Sequence, residues 1–163
     1  FKAMLYLILH VLLLSSIWIV SGEDSVHEKH EFLLCRQCGA DIADSAYIFN
    51  KISPGAKKVV NQNLFGKKNV TIQTLVNPLG VKFDILTTEK AHCYNQRYSA
   101  ESWFPGYTWR VCPCPYCWEH LGWVFEKYPA KFDESNSFHG LILSNILGEH
   151  FTNFLVVPKM YRP

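Results

Sequence analysis

Two pairs of closely spaced cysteines constrain this chain more than any other feature. Cys35 and Cys38 form one C-x-x-C motif, and Cys114 and Cys117 form a second, with residues 39–113 between them. This spacing lets two thiolates from one tight turn occupy adjacent corners of a tetrahedron, so the two motifs together predict a four-cysteine zinc site. Such a site joins distant parts of the sequence and stabilises the fold that brings them together.

Disulfides are the alternative interpretation, because the chain has six cysteines and oxidising compartments favour bridges. A bridge inside a C-x-x-C motif is usually a redox device, however, and two such devices in one small domain would be unusual. Zinc is therefore favoured for the four motif cysteines. Cys93 and Cys112 belong to neither motif, and we interpret them as a disulfide pair, with two inert buried thiols as the alternative.

The N-terminal segment has the pattern of a secretory signal peptide. Lys2 precedes an almost wholly apolar run from Met4 to Val20, and small residues close the segment at Gly22. A transmembrane anchor is the alternative, because the run is just long enough to cross a bilayer. We expect cleavage and a secreted mature chain without stable membrane insertion. A glycosylation sequon at Asn69 fits that route.

Composition limits the classes of partner. The chain of 163 residues is 48% hydrophobic and 18% charged, which is typical of a globular protein. Its formal net charge of +2 provides no strong basic field, so a nucleic-acid partner is not expected.

Short apolar runs broken by turn residues predict a mostly β fold. The clearest hairpin has alternating apolar residues over 70–76 and 81–85, with turn chemistry at 77–80. Residues 50–69 contain a Pro-Gly pair and two Lys pairs. We predict a solvated loop there, with a patch for an anionic partner as the alternative.

Two tryptophans flank a Pro-Gly turn in the run ESWFPGYTW, residues 101–109, and Trp123 follows the second C-x-x-C motif. A turn of this kind can bring two rings face to face. Three indoles can enclose a small flat ligand. Packing in the core of a β domain is the alternative, and composition alone favours it.

The order of these motifs resembles the CULT domain family, the thalidomide-binding module of cereblon. CxxCG, a V-N-P-x-G turn, ESWFPGYTW, CPYC and HLGW follow one another between Phe32 and Leu147. The resemblance implies two antiparallel sheets set at a steep angle and pinned by zinc, in a fold similar to methionine sulfoxide reductase B. The implied zinc ligands are Cys35, Cys38, Cys114 and Cys117.

The resemblance also implies a ligand site. The implied cage consists of Trp103, Trp109 and Trp123, with Phe125 closing the floor and Asn77 at the rim. The main chain of Glu101 and Trp103 is expected to hold a cyclic imide. Glu101 replaces the family's usual histidine, which adds negative charge at the rim.

The predicted organisation is a signal peptide over 1–22, a flexible lead-in over 23–31, a CULT-like domain over 32–148 and a tail over 149–163. We expect a secreted, non-enzymatic module that binds a cyclic imide or a nucleoside-like ring, with no ubiquitin-ligase adaptor role. One alternative is a reductase, in which Cys93 would have to be the nucleophile. The other is a cage for a quaternary ammonium ligand.

Overall fold

Eleven short strands make up most of the described part of the computed structural model, which covers residues 30–94, 100–129 and 136–154. The predicted signal peptide, most of the lead-in and the tail after residue 154 lie outside these ranges. The strands are Phe32–Cys35 (β1), Asp41–Asp44 (β2), Ile48–Phe49 (β3), Lys58–Leu64 (β4), Lys67–Val76 (β5), Lys82–Thr88 (β6), Ala100–Glu101 (β7), Tyr107–Pro113 (β8), His120–Lys127 (β9), Ser137–Ile142 (β10) and Ile146–Gly148 (β11).

The described strands form two antiparallel sheets. The smaller has the order β11-β1-β2, and the larger has the order β4-β5-β6-β10-β9-β8-β7, with β3 paired to β6. This confirms the mostly β prediction. Short 3₁₀ turns at Ser45–Tyr47, Leu143–Asn145 and Glu149–Phe154 complete the described elements. Within the same three ranges, no helix has the length and apolar character needed to cross a membrane.

The predicted hairpin is confirmed as β5 and β6. Its turn is closed by Asn77, whose side-chain oxygen accepts hydrogen bonds from the N–H groups of Leu79, at 3.0 Å, and Val81, at 2.9 Å. Gly80 follows with a φ of 81°, a left-handed conformation that glycine adopts without steric penalty. The sequence V-N-P-L-G therefore encodes this turn locally.

The solvated loop predicted over residues 50–69 is wrong in part. Residues Lys58–Leu64 form β4, which pairs with β5 from Lys58↔Thr74 to Leu64↔Lys67. β4 is the edge strand of the larger sheet, and most of its side chains are exposed. An exposed edge strand needs no apolar alternation, which is why the segment KVVNQNL, which has none, did not indicate a strand.

Two hydrophobic cores lie on opposite faces of the larger sheet. Val124 packs in the core shared with the smaller sheet, whereas its neighbours Trp123 and Phe125 pack in a separate, mainly aromatic core. Successive side chains of a strand point to opposite faces, so β9 supplies both cores. The aromatic core also contains Phe104 and Phe138, each buried and about 5 Å from Phe125.

The central strands also carry buried polar residues. Arg110 on β8 donates to Glu126 on β9 across 3.1 Å, and both side chains are buried. Burial, reinforced by the positive charge of Arg110, lowers the pKa of His139 on β10 to about 4. His139 is therefore neutral at physiological pH.

The edges of the domain differ slightly from the expected boundaries. Glu31, assigned from sequence to the lead-in, is buried, and its carboxylate accepts hydrogen bonds from the main-chain N–H and ring Nδ1 of His150 at 2.9 and 2.8 Å. His150 belongs to the 3₁₀ turn that follows β11. The first residue before β1 and the start of the predicted tail are thus packed together.

Candidate functional site

The four C-x-x-C cysteines meet at one point between the two sheets. Cys35 ends β1 and Cys114 follows β8, and the four sulfurs all lie within 4.8 Å of one another. The Sγ atoms of Cys35 and Cys117 are 3.6 Å apart, and those of Cys38 and Cys114 are 3.7 Å apart. Four sulfurs about 2.3 Å from a tetrahedral zinc ion are separated by about 3.8 Å. The cluster therefore fits one metal ion with all four positions filled by protein.

The two motifs fold into the same turn. The N–H groups of Cys35 and Cys114 each donate to the carbonyl five residues later, both at 2.8 Å. Four residues after these cysteines, Gly39 and Trp118 have positive φ angles of 76° and 67°. Their N–H groups donate back to the carbonyls of Cys35 and Cys114. Each turn thus presents its two sulfurs in the same way, which explains how two separate segments build one symmetrical cluster.

The thiols of the cluster have unequal acidities. Burial raises the pKa of the Cys35 thiol to about 12, whereas the backbone N–H of Ala40 lowers the pKa of Cys38. Metal binding to this set must therefore displace at least one tightly held proton.

Cys93 and Cys112 form a disulfide, with their Cα atoms 4.9 Å apart. The predicted pairing is confirmed. The bridge closes the segment that carries β7, the Pro-Gly turn and two of the three predicted cage tryptophans. Because Cys112 is fully buried in the core shared by the two sheets, the bridge ties this segment to the rigid part of the domain.

The three predicted cage tryptophans line one cavity of about 610 Å³. Trp103 and Trp123 meet edge to face, with ring centroids 4.9 Å apart and planes at 78°. Trp109 and Asn77 also line the cavity, as the resemblance implies. The remaining lining residues are Pro78, Leu79 and Ser102. The cavity thus has indole walls and a rim formed by the β5–β6 turn.

Two further aromatic residues hold the cage but were not assigned a role from sequence. Phe83 on β6 lies 5.0 Å from the ring of Trp123 and 6.4 Å from that of Trp103. His120 also packs edge to face with Trp123, with ring centroids 4.8 Å apart. Phe83 reaches the cage from another strand, whereas His120 lies on β9 three residues before Trp123, so the role of Phe83 is visible only in the tertiary fold.

The remaining predicted ligand residues lie near this cavity or behind it. Phe125 is fully buried 6.5 Å from Trp103, in the aromatic core behind the cavity wall. Glu101 lies on β7, opposite Thr108 of β8, so its main chain is fixed by strand pairing. Asn69 is exposed on β5 with a φ of 57°. Glycosylation of Asn69 stays a prediction.

An antiparallel β domain with a four-cysteine cluster able to hold a metal ion and a tryptophan-walled pocket defines the class of protein. The chain is a cereblon-like CULT domain. It is 30% identical to protein cereblon of Danio rerio over 137 residues, which are 82% of this chain and 28% of the relative. The corresponding cereblon of Gallus gallus is 43% identical over 76 residues, and that of Drosophila yakuba is 28% identical over 108 residues.

The chain spans less than a third of the length of these relatives, since it covers 28%, 17% and 16% of them. The aligned portions are 44% of this chain for the Gallus gallus protein and 63% for the Drosophila yakuba protein. No family model matches the chain.

Proposed function

We propose that this domain binds a small planar ring bearing carbonyl groups, such as a cyclic imide of the glutarimide or thalidomide type, and that a structural zinc ion occupies the cysteine cluster. The observation that carries the proposal is the cavity of about 610 Å³ between Trp103, Trp109 and Trp123. Ligand pockets are typically apolar clefts of about this size with a few fixed polar groups. Indole faces would cover the apolar methylenes of the ring.

The polar groups at the cavity favour a carbonyl ligand over a quaternary ammonium ion. Two acceptors near the cage are already in use: the carbonyl of Val76 accepts the indole N–H of Trp103 at 2.9 Å, and Asn77 Oδ1 accepts two N–H groups. The amide nitrogen of Asn77 has no partner among the described residues, so it is available as a donor. A donor at the rim matches a carbonyl oxygen and not a cation. A nucleoside-like ring with carbonyl groups remains the second candidate.

Turnover is not part of this proposal. All six cysteines are accounted for, because four form the cluster and two form the disulfide. A reductase-type mechanism needs a free nucleophilic thiolate. Cys93, the candidate nucleophile, is bridged to Cys112, and a metal in the cluster would leave no coordination position for a catalytic water.

Glutarimide binding tests the function directly. We expect the metal-loaded mature domain to bind glutarimide with an affinity on the order of micromolar, as measured by calorimetry. Trp109→Ala removes one wall and is expected to weaken binding by about tenfold or more. Trp118→Ala is the matched control, because Trp118 is 58% exposed, its side chain does not line the cavity, and only its main-chain N–H serves the Cys114 turn. Absence of binding at millimolar glutarimide would contradict the proposal.

Secretion is a separate proposal, supported by the apolar N-terminal pattern and by the disulfide. Disulfides persist in oxidising compartments, so a Cys93–Cys112 bridge fits a secreted protein. We expect expression of the full chain in cultured cells to release a protein whose N-terminus lies near Glu23, as determined by N-terminal sequencing of the medium. Retention of residues 1–22 in a membrane fraction would refute this proposal.

A further inference from the structure

The main chain at Trp103 is not held by strand pairing, although Trp103 forms a wall of the cavity. Trp103 lies in the segment between β7 and β8, outside both strands. Its indole ring packs against Trp123 and Phe83, and its N–H donates a 2.9 Å hydrogen bond to the carbonyl of Val76. These contacts hold the ring, so the main chain of this irregular segment needs an attachment of its own if the cage wall is to be rigid before the ligand binds.

Ser53 supplies that attachment. Its hydroxyl donates to the main-chain carbonyl of Trp103 at 2.6 Å, and only 2% of the residue is exposed. The same hydroxyl oxygen accepts the N–H of Gly55 at 3.1 Å. The hydroxyl therefore donates one hydrogen bond and accepts another inside the protein, and it faces the cage segment from the loop that precedes β4.

Gln73 holds Ser53 in turn. Gln73 is 1% exposed on β5, where its side-chain oxygen accepts the N–H of Ser53 at 2.8 Å. Its side-chain nitrogen donates to the carbonyl of Lys51 at 2.7 Å. The buried side-chain amide of Gln73 thus bonds to the main-chain groups on both sides of Ile52. These two hydrogen bonds fix the loop to the larger sheet.

We propose that Gln73 and Ser53 are positioning residues for the cage, which hold Trp103 in its binding position and so increase the affinity for the ligand. The inference rests on the proposed function and extends it to residues that do not line the cavity. Hydrogen bonds then connect Trp103 to β5 in two ways. The indole bonds to Val76 directly, and the main chain is connected through Ser53 to Gln73. Rigidity before binding increases affinity, because less conformational freedom is lost when the ligand binds.

The first arm of the test uses the ligand-free, metal-loaded protein. Hydrogen exchange of the indole N–H groups, followed by NMR, is expected to be about tenfold faster at Trp103 in Ser53→Ala than in wild type. Exchange at Trp123 is expected to be unchanged. Gln73→Leu is expected to change Trp103 in the same direction, and it provides a second variant if Ser53→Ala does not fold.

Thr71→Val is the matched control. Thr71 is also buried on β5, and its hydroxyl donates to Asn61 Oδ1 at 2.9 Å, away from the cage. The Thr71→Val substitution removes a side-chain hydrogen bond of β5, as Gln73→Leu does, but one that lies away from the cage. Equal exchange rates at Trp103 in wild type, Thr71→Val and Ser53→Ala would overturn the inference.

The second arm measures glutarimide binding. Ser53→Ala is expected to weaken the affinity about tenfold, mainly through slower association, whereas Thr71→Val stays within about twofold of wild type. Unchanged affinity in Ser53→Ala would overturn the positioning role in binding. If wild type itself binds no glutarimide, the proposed function fails, and the exchange arm still decides whether the two residues position Trp103.

Discussion

Substitution of Cys114 by alanine is expected to unfold the domain. Cys35 and Cys38 adjoin the smaller sheet, whereas Cys114 and Cys117 connect β8 and β9 of the larger sheet, so the proposed zinc ion joins the two sheets. Structural zinc binding contributes on the order of 10 kcal/mol or more to folding. That is comparable to the whole stability of a typical domain, about 5–15 kcal/mol.

Metal analysis and near-ultraviolet circular dichroism check this expectation. Wild type should contain about one equivalent of zinc and show a folded spectrum, and a strong chelator should remove both. The double variant Cys93→Ser with Cys112→Ser is the control, because it removes two cysteines but leaves the cluster intact. Loss of this disulfide is expected to cost about 3 kcal/mol and to leave the metal bound. A folded, metal-free Cys114→Ala protein would contradict the prediction.

The site was predictable where its chemistry is encoded in short segments. Each C-x-x-C turn fixes two sulfurs by local backbone hydrogen bonds, and the V-N-P-L-G turn is closed by its own asparagine. The run ESWFPGYTW places two tryptophans on either side of a tight turn. The resemblance to the CULT family predicted that these motifs form a zinc site and a ligand cage. The structure brings their side chains together in one cysteine cluster and one cavity.

The supporting residues were not predictable for a physical reason. Gln73 and Thr71 alternate with apolar residues on β5, which is typical of a strand with one solvated face, yet both are buried. The loop at Ser53 packs on Gln73, and the hydroxyl of Thr71 bonds to Asn61 on the neighbouring strand β4. Ser53 comes from a segment whose sequence indicates only a turn. Such roles depend on which loop packs against which strand, and a single sequence does not record that information.

Gly122→Ala is expected to destabilise the domain by at least about 4 kcal/mol, because two penalties combine at this position. Gly122 lies on β9 directly before Trp123, with a φ of 146° that side-chain-bearing residues rarely adopt. A Cβ atom there would lie 2.0 Å from the main-chain oxygen of Gly140 on β10. Backbone cannot rotate away as a flexible side chain can, so the two strands would have to separate beside the cage.

Gly80→Ala is the control that separates the two penalties. Gly80 also has a positive φ, 81°, but nothing lies within 4 Å of its added Cβ. Its substitution should therefore cost only the conformational penalty, about 1–2 kcal/mol. Chemical denaturation of both variants, at equal zinc content, measures the difference in free energy of unfolding. If Gly122→Ala is no less stable than Gly80→Ala, the close contact between β9 and β10 does not limit the sequence at this position.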